Sequence, residues 1–243
     1  AGTQQVEEML KKTFPGIRVL RMDMDTTSGK DGHEKIISEF AAHNADVLVG
    51  TQMIVKGHDF PDVTLVGVLA ADMSLYTSDF RAGERTFQLL VQAAGRAGRK
   101  NLHGDVIIQT YTPDNYSIVA AQKQDYEMFY DDEISFRKLM GYPPVETMMG
   151  IYLSAGDQEL LEEKTKTLGI FIREMQQQEV LMIGPADAAL TRLNDRYRKV
   201  IYLKSRQEEK LLLIKNKTEH YLEMDVGWEK IRVQFDMNPF QAY

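Results

Sequence analysis

The sequence predicts an α/β chain: a parallel, doubly wound first part is followed by a smaller α+β domain. Over the first 112 residues, β-rich apolar runs alternate with segments whose apolar residues recur at helical spacing, which is typical of a parallel sheet with crossover helices. After residue 146 the order becomes strand, helix, strand, strand, helix, strand, as in a ferredoxin-like sheet. We therefore divide the chain into residues 1–112, a helical connector over 113–145 and a C-terminal domain over 146–243.

The elements of the first part alternate regularly. Helices are predicted over 3–12, 34–43 and 81–94, and strands over 17–23, 46–51, 63–72 and 104–111. The runs 46–51 and 63–72 are almost continuously apolar, as expected for strands covered on both faces. Because ligands bind beyond the carboxyl ends of such strands, we expect chemistry in the loops after Gly50, Ala71 and Thr110.

The connector and the C-terminal domain continue this pattern. The stretch 125–144 is expected to form one helix, ended by Gly141 and the Pro143-Pro144 pair. Strands are predicted over 147–154, 180–183, 199–204 and 230–236, and helices over 158–177 and 207–222. The segment 186–198 is either a long loop or an extended hairpin arm.

Composition excludes several classes of site. The 243 residues contain no cysteine, which excludes disulfides and thiolate metal sites and favours a reducing, cytoplasmic compartment. The five histidines include no pair at ligand spacing, so no metal site is predicted. No apolar stretch approaches the roughly 20 residues that cross a bilayer, so no membrane partner is expected. The chain lacks an initiator methionine and opens almost directly into a helical pattern, so we expect a part of a longer protein.

Basic residues are segregated, although the net charge is -7. Between Arg192 and Arg206 there are six basic residues and one acid, whereas between Asp125 and Glu163 there are ten acids and two bases. Such segregation makes one face basic, as nucleic-acid binding requires, or is an unevenly charged solvated surface; both interpretations stay open.

Two segments carry residues suited to phosphate chemistry. GTQMIVKGHDFPDVTLVGVL (50–69) joins a strand to a loop that contains Gly57 and Asp59. QLLVQAAGRAGR (88–99) is a helix whose end carries Arg96 and Arg99. Two arginines three residues apart on a helical turn project the same way, and guanidinium groups suit phosphate oxygens. The alternatives are ordinary loop capping in the first segment and a solvated helix end in the second.

These segments resemble the second RecA-like lobe of superfamily 2 helicases. Q-x-x-G-R-x-G-R is similar to their motif VI, and T-x5-G-x-D to their motif V. The succession of GTQMIVKGHDFPDVTLVGVLAAD, DFRAGERTFQLL, QAAGRAGR and RKLMGYPP resembles the PriA family of replication-restart helicases nearly from end to end. The resemblance implies a RecA-like first part in an ATP-dependent 3′ to 5′ DNA helicase that restarts stalled replication forks by primosome assembly.

The resemblance implies roles for the motif VI residues. Arg96 and Arg99 would be arginine fingers that reach the γ-phosphate of ATP held by another lobe, and Gln92 would contact this phosphate or orient water. Gly95 would let the nucleotide approach the backbone closely.

The resemblance also implies roles for the motif V residues. Gly57 and Asp59 would lie near the nucleotide ribose. Gly50 and Thr51 would contact a phosphate of the translocated DNA strand without reading its bases.

ATP and Mg²⁺ would need the first lobe of the helicase. The sequence contains no G-x-x-x-x-G-K-[ST] loop, so we expect this chain alone to be inactive as an ATP hydrolase. In the family, a cysteine-rich zinc module precedes the point where this chain begins, so zinc is expected only there.

The stretch GPADAALTRLNDRYRKVIYLKS (184–205) resembles the C-terminal domain of the family. Its Arg192, Arg196 and Arg198 surround Tyr197, so they are expected to hold phosphates of forked or branched DNA while the ring stacks on an exposed base. The alternative is that these arginines pair with acids of the connector.

The helix from Arg206 onward resembles the place where the family docks the acidic tail of single-stranded-DNA-binding protein. Lys210 stands there in place of a family glutamine. Primosome and helicase-loading proteins are further expected partners. Two alternatives stay open: a non-catalytic fork-binding and partner-docking module with a degenerate helicase lobe, and a different superfamily 2 motor.

Overall fold

The computed structural model describes residues 2–27, 32–51, 54, 60, 62–77, 79–98, 104–175 and 179–239. The chain forms two compact units. The first contains Ala1–Leu75 and Glu84–Tyr126, and the second contains Tyr76–Gly83 and Glu127–Tyr243. Helices and strands occur in both units, so the predicted mixed α/β class is confirmed. Within the described residues, no helix is both long enough and apolar enough to cross a membrane.

Two parallel strand pairs form the sheets of the first unit. Its strands are β1 (Val19–Met22), β2 (Val47–Gly50), β3 (Leu65–Val68) and β4 (Asp105–Ile108). The helices up to residue 126 are α1 (Thr3–Thr13), α2 (Met24–Thr27), α3 (Gly32–Ala41), α4 (Asp72–Leu75), α5 (Ala82–Ala94) and α6 (Tyr116–Lys123). β1 pairs with β2, and β3 pairs with β4, in two separate sheets. Parallel neighbours require a crossover connection, which contains α3 in the first pair and α5 in the second.

The β3–β4 pair is shorter and more exposed than the sequence predicts. We expected 63–72 to form a strand covered on both faces, but Leu65 and Ile107 are 58% and 60% exposed. Along both strands, exposed residues alternate with half-buried ones. The described residues therefore cover one face of this strand pair and leave the other exposed. The strand ends early because Ala70 has a φ of 51°, which interrupts the extended backbone.

The second unit contains a four-stranded antiparallel sheet. Its strands are β5 (Thr147–Ala155), β6 (Leu181–Leu193), β7 (Arg196–Ser205) and β8 (Arg232–Met237), in the order β6-β7-β5-β8. Its helices are α7 (Tyr126–Met140), which begins one residue before this unit, α8 (Gln158–Met175) and α9 (Glu208–Glu223), and a short 3-10 helix covers Val226–Trp228. The predicted succession of strands and helices after residue 146 is found.

The core of this unit joins the sheet to α8 and α9. Ile151 and Leu153 of β5 and Leu203 of β7 are at most 1% exposed and pack with Leu161 of α8 and Leu211 of α9. Truncating a fully buried leucine to alanine typically costs about 2–5 kcal/mol, so these contacts hold both helices on the sheet.

An extended hairpin connects β6 to β7. The two residues between the strands, Asn194 and Asp195, have φ values of 50° and 58°, as a two-residue hairpin turn requires. Of the two alternatives for 186–198, the extended hairpin arm is therefore found. β6 continues well beyond the predicted end at residue 183, because its pairing with β7 resumes after each bulge.

The segment 76–83 packs within the second unit. The Phe80 ring stacks on Tyr142, with 5.3 Å between centroids and 16° between planes. Arg81 donates a hydrogen bond to the carbonyl oxygen of Pro239 at 2.9 Å. Lys204 lies beneath Tyr142, 3.7 Å from the ring centroid, and donates to the carbonyl oxygen of Met140 at the end of α7. Burial lowers the pKa of Lys204.

Candidate nucleotide and nucleic-acid sites

Gly50 and Thr51 lie at the carboxyl end of β2. A Cβ atom at Gly50 would clash with the carbonyl oxygen of Met22 on the neighbouring strand, so the close approach of β1 requires glycine. Thr51 follows as an exposed residue, and its carbonyl oxygen accepts a hydrogen bond from the Ile54 amide at 3.1 Å. Thr51 is therefore available to a ligand at this edge of the sheet.

The loop after Thr51 contains Gly57 and Asp59, which lie outside the described residues. Phe60, where the described chain resumes, is 8% exposed and packs edge-on against Phe40 of α3 at 5.0 Å. The far end of the motif V loop is thus anchored on α3.

Helix α5 presents one polar stripe to solvent. Gln88 and Gln92 are exposed along this stripe, as is Gly95 directly after the helix, whereas Phe87 and Leu90 are 6% and 2% exposed. A Cβ atom at Gly95 would meet only carbonyl oxygens of the preceding helical turn, at 3.5 Å or more. Of the predicted motif VI residues, Gln92 therefore lies on the accessible face of α5, and Gly95 is exposed directly after its last residue.

The chain after α5 is hydrogen-bonded to the segment just before β3. Arg96 is half-buried and makes a contact of its own, and its amide donates to the Ala93 carbonyl in a last tight turn. Gly98 has a φ of 72°, and its amide donates to the carbonyl oxygen of Val63 at 3.0 Å. The turn after α5 is thus hydrogen-bonded to the chain just before β3, whereas Arg99 lies outside the described residues.

Asp72 follows Ala71, one of the strand ends where the sequence predicts a ligand site. Both of its carboxylate oxygens accept hydrogen bonds from the protein itself. One carboxylate oxygen accepts hydrogen bonds from the hydroxyls of Thr110 and Thr112 at 2.7 and 2.6 Å, and the other accepts from the Tyr111 amide at 2.9 Å. The Thr112 and Thr110 hydroxyls hold the pKa of Asp72 far below its ordinary value. The carboxylate therefore clamps the ends of β3 and β4 together, and the described residues contain no cluster of three or more metal-ligating side chains.

Asp72→Asn should lower the unfolding midpoint of the chain near pH 7 by on the order of 5–10 °C, because several charge-assisted hydrogen bonds are lost. The ionised form is the stabilised one, so its contribution is complete above the ordinary pKa of 3.8 and is lost as the pH falls towards the lower native pKa. The difference between parent and variant should therefore narrow at about pH 3. Thermal unfolding checks this, with the exposed Asp114→Asn as control; equal midpoints near pH 7 would contradict the clamp.

The hairpin brings Arg192, Arg196 and Tyr197 together at its tip. Arg192 is 56% exposed, pairs with Asp195 at 3.0 Å and lies 5.3 Å from the centroid of the Tyr197 ring. Arg196 instead donates to the carbonyl oxygen of Ser154 at 2.6 Å, which fixes the hairpin to the end of β5. In the part of the chain that the structure describes, neither of these two arginines forms an ion pair with an acid of the connector, and Arg198 is half-buried and has an interaction of its own.

Arg206 and Lys210 differ in accessibility. The Arg206 side chain is 78% exposed and makes one long contact of 3.4 Å with Glu146. Lys210 pairs with Glu179 at 2.7 Å, and this hydrogen bond lowers the pKa of Glu179. An acidic ligand would therefore meet Arg206 directly but would compete with Glu179 for Lys210.

A cavity that the sequence does not predict lies beside the hairpin. It is lined by Asp187 and Lys199, which face each other across β6 and β7, together with residues of α8. The feature that could have indicated this cavity is the strand register, because only the hairpin pairing shows that Asp187 and Lys199 are neighbours.

Comparisons with known proteins identify the family. The family model described as "Helicase conserved C-terminal domain" matches residues 1–101, and the one described as "Primosomal protein N C-terminal domain" matches residues 138–240. The replication restart protein PriA of Bacillus subtilis is 44% identical over 240 residues, 98% of this chain. The chain belongs to the PriA family.

Further PriA proteins support the assignment. Those of Chlamydia pneumoniae and of a Synechocystis species are 36% and 37% identical over 100% and 93% of this chain. The chain spans 30% of the length of the Bacillus subtilis relative, and 32% and 28% of the other two. Both matched family models describe C-terminal domains, so the chain corresponds to a C-terminal part of PriA.

Proposed function

We propose that the chain is the second helicase lobe and the C-terminal domain of an ATP-dependent 3′ to 5′ DNA helicase. The observation that carries this proposal is the exposure of Gln92 on α5 and of Gly95 directly after it, at the start of the segment that contains Arg96. In this proposal residues 1–112 form a RecA-like lobe. The sheet order β6-β7-β5-β8 supports a ferredoxin-like domain over 146–243.

ATP would be held by another lobe and completed by motif VI of this one. Arg96 and Arg99 would supply guanidinium groups to the γ-phosphate, and Gln92 would orient water or contact this phosphate. Gly57 and Asp59 would contact the nucleotide. When bound, ATP would supply the γ-phosphoryl group that is transferred to water, and Mg²⁺ would be held with it by the other lobe; the two lobes would close on the bound nucleotide. An exposed polar helix face fits such a shared site, because it leaves room for a second lobe.

DNA would contact the two units through different groups. Thr51, exposed beside Gly50, would hold a strand phosphate through its hydroxyl and backbone N–H. Arg192, Arg196, Tyr197 and Arg198 would bind the branch of a stalled or forked DNA. The exposed Arg192 beside an aromatic ring supports this role.

Protein partners would bind the surface around Arg206 and Lys210. The exposed Arg206 supports docking of an acidic peptide, as in the tail of single-stranded-DNA-binding protein. Primosome and helicase-loading proteins would assemble on the DNA-bound protein in the cytoplasm. Zinc would belong to a separate cysteine-rich module.

Strand separation by the full-length protein tests the proposal. A forked duplex with one labelled arm should be unwound 3′ to 5′ only when ATP and Mg²⁺ are both supplied. Fork binding without ATP hydrolysis would contradict the motor and favour the non-catalytic docking module.

A further inference from the structure

A half-polar cavity lies within the second unit, between the β6–β7 hairpin and the start of α8. Its volume is about 260 Å³. The lining includes the fully buried Leu161 and the ring-bearing Tyr197, and also the polar side chains of Gln158, Glu162, Asp187 and Lys199. This volume is below that of a drug-sized pocket and suits one small planar group.

The cavity forms where the hairpin ladder opens. Asp187 pairs with Lys199, and the next pair is Arg192 with Tyr197, so β6 has four residues where β7 has one. A bulge of this kind bends its strand and redirects side chains, and such bulges are frequent beside functional sites. Thr191 lies in the bulge, is exposed and lines the cavity.

The charges in the lining indicate the chemistry of the ligand. The Lys199 ammonium lies 2.8 Å from a carboxylate oxygen of Asp187 and 3.7 Å from one of Glu162. Arg198 also lines the cavity, so two carboxylates balance two cations and the lining offers a phosphate group no net positive charge. Carboxylate and amide oxygens instead accept hydrogen bonds from the amino and ring N–H groups of a base, and the Tyr197 ring offers a stacking surface.

We propose that this cavity binds one unpaired nucleobase of the DNA. The inference rests on the proposed DNA-binding function. Arg192 lies beside Tyr197 and is mostly exposed, so the phosphate of the same nucleotide would lie on the outside of the hairpin, against this guanidinium. The base would enter between the bulge of β6 and the first turn of α8, whose Gln158 is exposed.

Forked DNA in which unpaired nucleotides are replaced one at a time by abasic residues tests the proposal on this chain. One position should weaken binding about 5- to 100-fold, the range that base stacking supplies, while the other positions change little. For the Tyr197→Ala variant, fork affinity should not depend on which nucleotide is abasic (a flat abasic scan). The Tyr197→Phe variant should retain the dependence on abasic position, because its aromatic ring remains.

A blocking variant keeps the test independent of folding, since Tyr197 also packs against the core. Thr191→Trp should fill the cavity and flatten the abasic scan. Leu190→Trp, at an exposed neighbour on the same bulge that does not line the cavity, should leave it unchanged. Tight fork binding with a flat scan in the parent chain would overturn the base site and leave the DNA-binding proposal intact. Absence of fork binding would instead contradict the proposed function itself.

Discussion

Alanine at Arg96 or Arg99 should lower the DNA-stimulated ATPase rate of the full-length protein by on the order of 10³-fold, while fork affinity stays within a few-fold. Each guanidinium would offset negative charge that develops on the γ-phosphate, and this stabilisation is absent from DNA binding. Steady-state ATP hydrolysis across a DNA titration, together with fork binding without nucleotide, measures the two effects separately.

Arg18→Ala is a matched control for these variants. Arg18 belongs to the same unit, is 55% exposed and pairs only with Asp46 in the ion pairs of the described chain, so its loss should leave the ATPase rate unchanged. Because Arg96 is half-buried, its variant also needs an unchanged unfolding midpoint. A parent-like ATPase rate in both the Arg96 and Arg99 variants would contradict the arginine-finger role.

Replacing Arg192, Arg196 and Arg198 together with alanine should weaken fork binding by roughly 10- to 100-fold at low salt. It should also reduce the slope of log affinity against log salt by about 2 to 3, because each phosphate contact contributes about 0.7 to 0.9. The structure ranks the three: Arg192 is exposed, whereas Arg196 is held by Ser154. Arg192→Ala alone should therefore produce the largest single change in slope.

A second triple variant that loses the same number of positive charges elsewhere in the unit separates the effect of local contacts from the effect of net charge. Lys166, Lys217 and Lys230 are exposed cations of the same unit, and their replacement by alanine removes the same three charges. Salt titrations of both triple variants should give a reduced slope only for the hairpin. An unchanged slope in the hairpin variant would remove the hairpin from the DNA-binding surface.

The sequence predicts the elements of the fold better than their extent. The end of α7 at Met140 follows from the glycine after it, because Gly141 has a φ of 61° that disfavours other residues. The end of β3 does not follow from the sequence, because Ala70 adopts a left-handed conformation that its residue type gives no reason to expect. The two sheets of the first unit likewise depend on long-range pairing that local patterns do not encode.

The candidate sites likewise include positions that the sequence predicts and long-range contacts that it does not. Thr51 and Gln92 are exposed. Their positions can be predicted from the sequence, because motif spacing places one after a strand and the other on a helix face. The clamp made by Asp72 was not predicted, since its donors at Thr110 and Thr112 are some forty residues away along the chain. The restraint of Arg196 by Ser154 depends on strand register in the same manner.

A structure of the full-length protein with a non-hydrolysable ATP analogue and forked DNA is the most direct test of the central claim. We predict that the guanidinium groups of Arg96 and Arg99 lie within about 3 Å of γ-phosphate oxygens, with Gln92 beside them. Guanidinium groups packed into the interior of their own unit, away from the nucleotide, would contradict the account.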